Sequence, residues 1–153
     1  MSEIVYNTDT RFGKAADLIE RVEDLCGEKI IHSITAAEPI GPKKLCDVLV
    51  VAPCTGNTLS KLANAITDTP VTMAVKSHLR IMRPVLLGVA TNDGLGASAV
   101  NIGKLLNTKN IFFVPMSQDD IIKKPNSLVC DFTLIPQCVE AALENRQLQP
   151  VFK

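Results

Sequence analysis

The sequence predicts a single α/β domain built on a doubly wound parallel sheet. Three observations carry that expectation. Val- and Leu-rich runs without alternation, clearest over residues 46–52, read as strands covered on both faces. Between such runs lie stretches with apolar residues at helical spacing, such as Leu59, Leu62, Ala63 and Ile66. At 153 residues and 46% hydrophobic content, the chain is long enough to bury one sizeable core.

Taken in order, residues 3–6 read as the end of a strand. The polar bend Asn7-Thr8-Asp9-Thr10 follows, where Asp9 or Thr10 can cap a helix. Ala15, Leu18, Ile19, Val22, Leu25 and Cys26 share one helical face, Glu20, Arg21, Glu23 and Asp24 face water, and Gly27 terminates. A short apolar stretch, 29–34, leads into 36–44, which Pro39, Gly41 and Pro42 make irregular. After the strand at 46–52 and a polar bend, a helix runs to about Asp68. Pro70 then opens a strand over 71–75. A short helical segment at 77–82, a strand at 85–90, a helix at 97–106 and a strand at 111–114 continue the alternation. A long polar segment, 117–127, precedes a last helix from about Leu134 to Asn145, with Cys138, Ala141, Ala142 and Leu143 on its apolar face.

Lys plus Arg and Asp plus Glu balance at 16 each, so no global field draws nucleic acid or an anionic membrane. The longest apolar runs, 48–52 and 85–87, are far shorter than the ~18 residues of a membrane span. A soluble, cytoplasmic protein is expected. The five cysteines are odd in number and show neither CxxC nor Cys/His ligand spacing, which argues against a disulfide framework or a zinc site.

Ligands of doubly wound sheets bind beyond the carboxyl ends of the strands, and three loops fall there. In the first, Pro53, Cys54, Thr55, Gly56, Asn57 and Thr58 are small or polar, so a flat ring can approach the backbone. The next helix offers unsatisfied N–H groups to a polar or anionic edge. The plainer account is that Thr55 or Asn57 caps the helix and Gly56 makes the turn. The second, Thr91 to Ala99, formally satisfies G-x-G-x-x-A, but late in the chain, where a tight turn is the better reading. The third, 118–127, places Lys123 and Lys124 ahead of Pro125. It is either a solvated loop or, given its length, a lid. His32 and His78 lack evident partners, and Cys54, with no base beside it in sequence, reads as a small packing residue.

The stretch "APCTGNTLSKLANAITDTPV" resembles the Pro-Ala-Ser-Ala-Asn-Thr loop of the flavin-containing cysteine decarboxylase superfamily, whose members bind FMN in a flavodoxin-like fold. Together with "TDTRFGKA", "AEPIGPK", "RPVLLGVATNDGLG", "NIGKLLNTKNIFFVP", "QDD", "KKPNSLV" and "QLQPV", it is similar to one branch, the B subunits of dipicolinate synthase. The similarity spans nearly the whole chain. The resemblance implies a flavodoxin-like or Rossmann-like flavoprotein with FMN as cofactor. It further implies a protein that works with the A subunit of dipicolinate synthase to oxidise dihydrodipicolinate, a small cyclic dicarboxylate, to dipicolinate in the mother cell of a sporulating bacterium. Homo-oligomers are also implied.

Carried over residue by residue, Pro53, Cys54, Thr55, Gly56, Asn57 and Thr58 line the flavin, and Thr10 and Phe12 match a bend that touches it. Met73 and Ala74 match a later Pro-x-Met-Asn segment, with Ala74 where decarboxylases use a carboxylate-gripping Asn. The place of their catalytic His falls near Glu38 and Pro39, which leaves Glu38 as the catalytic candidate. Lys76, Arg80, Lys104, Lys123 and Lys124 are candidate cations for a dianionic substrate. The family opens with a strand, a phosphate loop and a helix for which this sequence has no counterpart. The expectation is therefore an N-terminally truncated domain over 1–153, with an open sheet edge and weakened FMN binding. Two other readings stand beside this one: an FMN-dependent cysteine decarboxylase, against which the missing Asn and His argue, and a non-catalytic partner of the A subunit.

Overall fold

The computed structural model describes residues 1–10 and 13–153. Its helices and strands, in chain order, are α1 (Glu3–Asn7), α2 (Ala15–Cys26), α3 (Ile34–Ala37), β1 (Leu49–Cys54), α4 (Gly56–Ala63), α5 (Pro70–Arg80) and β2 (Val85–Thr91). There follow α6 (Ala99–Leu106), β3 (Ile111–Phe113), β4 (Met116–Asp120), β5 (Lys124–Cys130) and α7 (Ile135–Leu143). Strand β2 is the hub. It pairs in parallel with β1, Leu49 beside Val85 and Val51 beside Leu87, and with β3, Leu86 beside Phe112. At its carboxyl end it pairs antiparallel with β5, Ala90 beside Val129 and Thr91 beside Leu128. The doubly wound α/β class is thus found with a mixed sheet: the parallel strands carry an antiparallel ribbon.

The continuous apolar run of β2 has the reason expected of it, since Val85, Leu86, Leu87 and Val89 are wholly buried among Leu59, Phe113, Val114 and Met116. Strand β1 differs. Leu49 and Val50 are half-buried and Ala52 and Pro53 exposed, because β1 has β2 on one side and no other strand among the described residues. An apolar cleft of about 170 Å³ runs along it, lined by Ile40, Val50, Val51, Val71 and Ala74. The far side of β3 is closed by one side chain. The Gln147 amide accepts from Phe113 N and donates to Phe113 O, at 2.8 and 2.7 Å, as a neighbouring strand would.

Four expectations are corrected. Residues 3–6 form helix α1 instead of a strand: without a neighbour to pair with, the segment closes its hydrogen bonds locally, with Ser2 Oγ accepting from Val5 N. Helix α2 forms as predicted, with Asp9 Oδ1 taking the N–H of Ala15 at 2.8 Å and Gly27 ending it at φ 66°, yet it buries none of its residues. Residues 71–75 are helical, part of α5. Pro70 occupies its first turn and Thr69 and Thr72 form a reciprocal capping box, so strand and short helix become one element. Residues 117–127 are a β-hairpin instead of a loop, its turn fixed by Asp120 Oδ1 accepting from Ile122 N and Lys123 N.

Two further joints tie segments distant in sequence. Ser77 of α5 holds the 38–41 turn, donating to Glu38 O and accepting from Gly41 N at 2.8 Å. The chain's last residues flank buried Met116: its N–H donates to Val151 O and its carbonyl accepts from Lys153 N, both at 2.9 Å, while Lys153 Nζ pairs with Asp131 at 3.1 Å.

Candidate functional site

The carboxyl ends of β1 and β2 lie side by side, and the loops leaving them make one site. The first loop is residues 53–58. Pro53, Thr55 and Asn57 are exposed, Gly56 and Thr58 partly so, and Cys54 is wholly buried beneath them. Thr55 occupies the N-cap position of α4, but its side chain caps nothing. The first internal bond of the helix is Leu59 N to Thr55 O at 2.9 Å, so the three N–H groups ahead of it are left to a ligand or to water. Asn57 makes no side-chain hydrogen bond among the described residues. Capping therefore does not account for this loop, and a polar or anionic ligand edge finds donors and a positive dipole end there.

Gly56 is small for a different reason than a turn. It sits in a helical backbone, and a Cβ there would meet Thr91 Oγ1 at 2.6 Å, Asp93 Oδ1 at 3.0 Å and Ser98 Oγ at 3.2 Å. Those three side chains belong to the second loop. Thr91 Oγ1 and Ser98 Oγ, the latter at 2.9 Å, both donate to Asp93 Oδ1, which holds the Asp93 carboxyl below its ordinary range. Its backbone oxygen accepts from Gly96 N and Ser98 N at 2.9 and 3.2 Å. Gly94 packs so tightly on Leu128 that a Cβ would come within 2.7 Å, so this glycine serves the close approach of the loop to β5. One further bond, Asn101 Nδ2 to Ser60 Oγ at 3.0 Å, joins α6 to α4.

The hairpin supplies the third element. Because β5 runs antiparallel to β2 and joins it at Leu128 and Val129, residues ahead of Leu128 extend past the carboxyl end of β2. Its tip carries Lys123, Lys124, which pairs with Asp119 at 2.6 Å, and exposed Ile121 and Ile122.

Pro53, Cys54, Thr55, Gly56, Asn57 and Thr58 are thus brought together, with Lys123 and Lys124 beyond the same end of the sheet. Other assignments fall elsewhere. Met73 lies within α5, packed on the Ala37, Ile40 and Ala74 cluster, and Ala74 is buried there. Lys76 and Arg80 lie on the half of α5 that leads to the amino end of β2, and Lys104 is in the last turn of α6, which leads to β3. All three lie toward the opposite, amino end of the parallel strands. The backbone oxygen of Glu38 accepts from Ser77 of α5, which places the exposed Glu38 beside that same half of α5. Thr10 exchanges two backbone hydrogen bonds with Gly13, and Phe12 lies outside the described residues. Thr91, Asp93 and Ser98 belong to the second candidate loop, but the sequence reading gave them no role. Their signal was position, beyond the carboxyl end of β2.

Burial pushes the Cys54 thiol up to about 12, with Cys130 adding to it, so it is a packing group and no nucleophile. Among the described residues no group of His, Cys, Asp and Glu is placed to hold a metal ion, and no helix is long and apolar enough to cross a membrane.

Comparison with known proteins follows the same lines. A family model described as Flavoprotein matches residues 4–141. The chain is 54% identical over 147 residues to the B subunit of dipicolinate synthase of Bacillus subtilis (strain 168), covering 96% of this chain and 74% of the relative. A crystal structure of the B subunit of dipicolinate synthase from Bacillus halodurans C superposes with a TM-score of 0.88 at 47% identity, over 95% of this chain and 75% of that one. The FMN-dependent cysteine decarboxylase SpaF superposes at 0.59 and 20% identity, over 86% of this chain and 74% of its own, which shows a shared fold alone.

Proposed function

Since the chain belongs to the Flavoprotein family, in the branch formed by the B subunit of dipicolinate synthase, we propose that it binds FMN and serves as the flavoprotein component in the oxidation of dihydrodipicolinate to dipicolinate. The observation that carries the proposal is the uncapped start of α4 behind a loop of small, exposed residues. Pro53, Thr55 and Gly56 leave room for the face of a flat ring, while the free N–H groups of α4 and the Asn57 amide meet a polar edge. Bound FMN supplies a two-electron acceptor, and the protein's part is position and electrostatics.

The substrate is a dianion, and Lys123 and Lys124 are the cations beyond the same end of the sheet, while Lys76, Arg80 and Lys104 of the same chain lie toward its other end. This reading includes the A subunit of dipicolinate synthase as partner, self-association, and a cytoplasmic setting in the mother cell of a spore-forming bacterium. The decarboxylase reading has only the fold in its favour.

Two measurements test the proposal. Titration of the purified chain with FMN, by itself and with the A subunit, is expected to give a saturable change in the flavin spectrum at one site per chain. Oxidation of dihydrodipicolinate by the A subunit on its own is then compared with the rate of the two proteins together. A full rate without this chain would leave it a supporting, non-catalytic role, and no flavin binding in either mixture would remove the cofactor.

A further inference from the structure

We infer that Asp93 is a positioning residue for the flavin loop, holding the second loop as a rigid floor beneath the first turn of α4; this rests on the flavin reading of residues 53–58. Two hydroxyls, from Thr91 and Ser98, converge on a single oxygen, Asp93 Oδ1. That oxygen and the two hydroxyls are the three atoms against which Gly56 packs. The same residue's carbonyl gathers the N–H groups of Gly96 and Ser98, so side chain and backbone of Asp93 together set the path of residues 91–98.

No other side chain takes over this duty. Ser98 is 1% exposed, and its Oγ has Asp93 as its hydrogen-bond partner, so loss of the carboxylate strands a buried hydroxyl. The contact at Gly56 transmits the position of that floor to the N–H groups of Gly56, Asn57 and Thr58. A displaced floor misplaces donors that a ligand must meet within a fraction of an ångström. Asparagine retains an oxygen in the Oδ1 position that can take both hydroxyl protons, whereas alanine removes it.

The experiment compares Asp93→Ala, Asp93→Asn and Asp131→Ala by FMN titration, with and without the A subunit. The third variant removes a carboxylate equally engaged, by Thr133 and Lys153, that has no hydrogen bond to either loop. Backbone amide exchange is followed in parallel without FMN. The expected result is a loss of affinity of about tenfold or more for Asp93→Ala and about threefold or less for Asp93→Asn and Asp131→Ala. Exchange should quicken at Gly96, Ser98 and residues 56–58 in Asp93→Ala alone. Unchanged affinity in Asp93→Ala, or equal losses in Asp93→Ala and Asp131→Ala, overturns the inference. If the parent chain binds no FMN, the flavin reading fails, and exchange decides the link between the loops by itself: faster at 56–58 in Asp93→Ala supports it, unchanged there overturns it.

Discussion

Replacing Gly56 with alanine adds one methyl group at a point where the structure leaves no room for it. Its Cβ would lie 2.6 Å from Thr91 Oγ1 and 3.0 Å from Asp93 Oδ1, well inside contact distance, and both atoms are held in place by hydrogen bonds. Overpacking of this kind costs about 1–3 kcal/mol, and the neighbours here are partly able to yield, so about 2 kcal/mol is expected. For a chain of this length that is a fall in Tm of roughly 4–8 °C. Two other glycines calibrate the value. At Gly41 the added Cβ would lie 1.9 Å from the backbone oxygen of Ser77, which cannot swing aside, so Gly41→Ala should cost about 3 kcal/mol or more. At Gly103, exposed in α6, nothing lies within 4 Å, and alanine should stabilise by about 0.5–1 kcal/mol. Urea unfolding and calorimetry of the three variants read the order directly. Adding Thr91→Ala to Gly56→Ala removes the nearest obstacle, and the pair should be milder than the sum by about 1 kcal/mol. A Gly56→Ala chain as stable as the parent, or a cycle with no coupling, would refute the close packing of the two loops.

Three further outcomes are expected. Burial of His78, aided by Arg83, holds its pKa below the ordinary value, and its Nε2 has no partner among the described residues, so folding favours its neutral form. Unfolded chains take up that proton as pH falls through about 6.5, so stability is full above that point and declines below it. His78→Phe should flatten the urea midpoint between pH 7.5 and about 5.5, and an unchanged slope would assign the titration to another group. Iodoacetamide at about pH 8 should alkylate exposed Cys26 and spare Cys54, read by peptide mass spectrometry; rapid modification of Cys54 would mean that the loop opens. Lys76→Ala and Arg80→Ala should leave KM for dihydrodipicolinate unchanged with the A subunit present, while Lys123→Ala with Lys124→Ala raises it about tenfold. The reverse pattern would place the substrate at the other end of the parallel strands.

The strand β2 and the helices α4, α6 and α7 were legible because burial and period agree in them, and α2 was legible from its period alone. Residues 71–75 were not, since a five-residue apolar run fits strand and helix alike, and Pro70 serves as a strand opening or a first helical residue. The decision came from the Thr69 and Thr72 side chains, a local hydrogen-bond pair that hydropathy does not see. Met73 came to the site by a separate route, its match to the Pro-x-Met-Asn segment of the resembling family, and the structure sets it within α5 against Ala37, Ile40 and Ala74. The first loop was read from its small residues, but the reason for Gly56 was invisible: it lies in three atoms of a loop some 35 to 42 positions further on. Hairpin β4–β5 was hidden by its polarity, which suits a ribbon whose outer residues face water.

The pairing of residues 151 and 153 with Met116 has a practical side for anyone producing this chain. Val151 and Lys153 together satisfy the backbone of a residue that is 1% exposed, at the corner where β3 gives way to β4. An affinity tag fused directly after Lys153 pulls on that corner, and removal of the last three residues strands two polar groups next to the core. Fusion partners for purification or imaging therefore belong on a flexible spacer after Lys153, and the exposed Cys26 thiol at the end of α2 is the safer place to attach a dye.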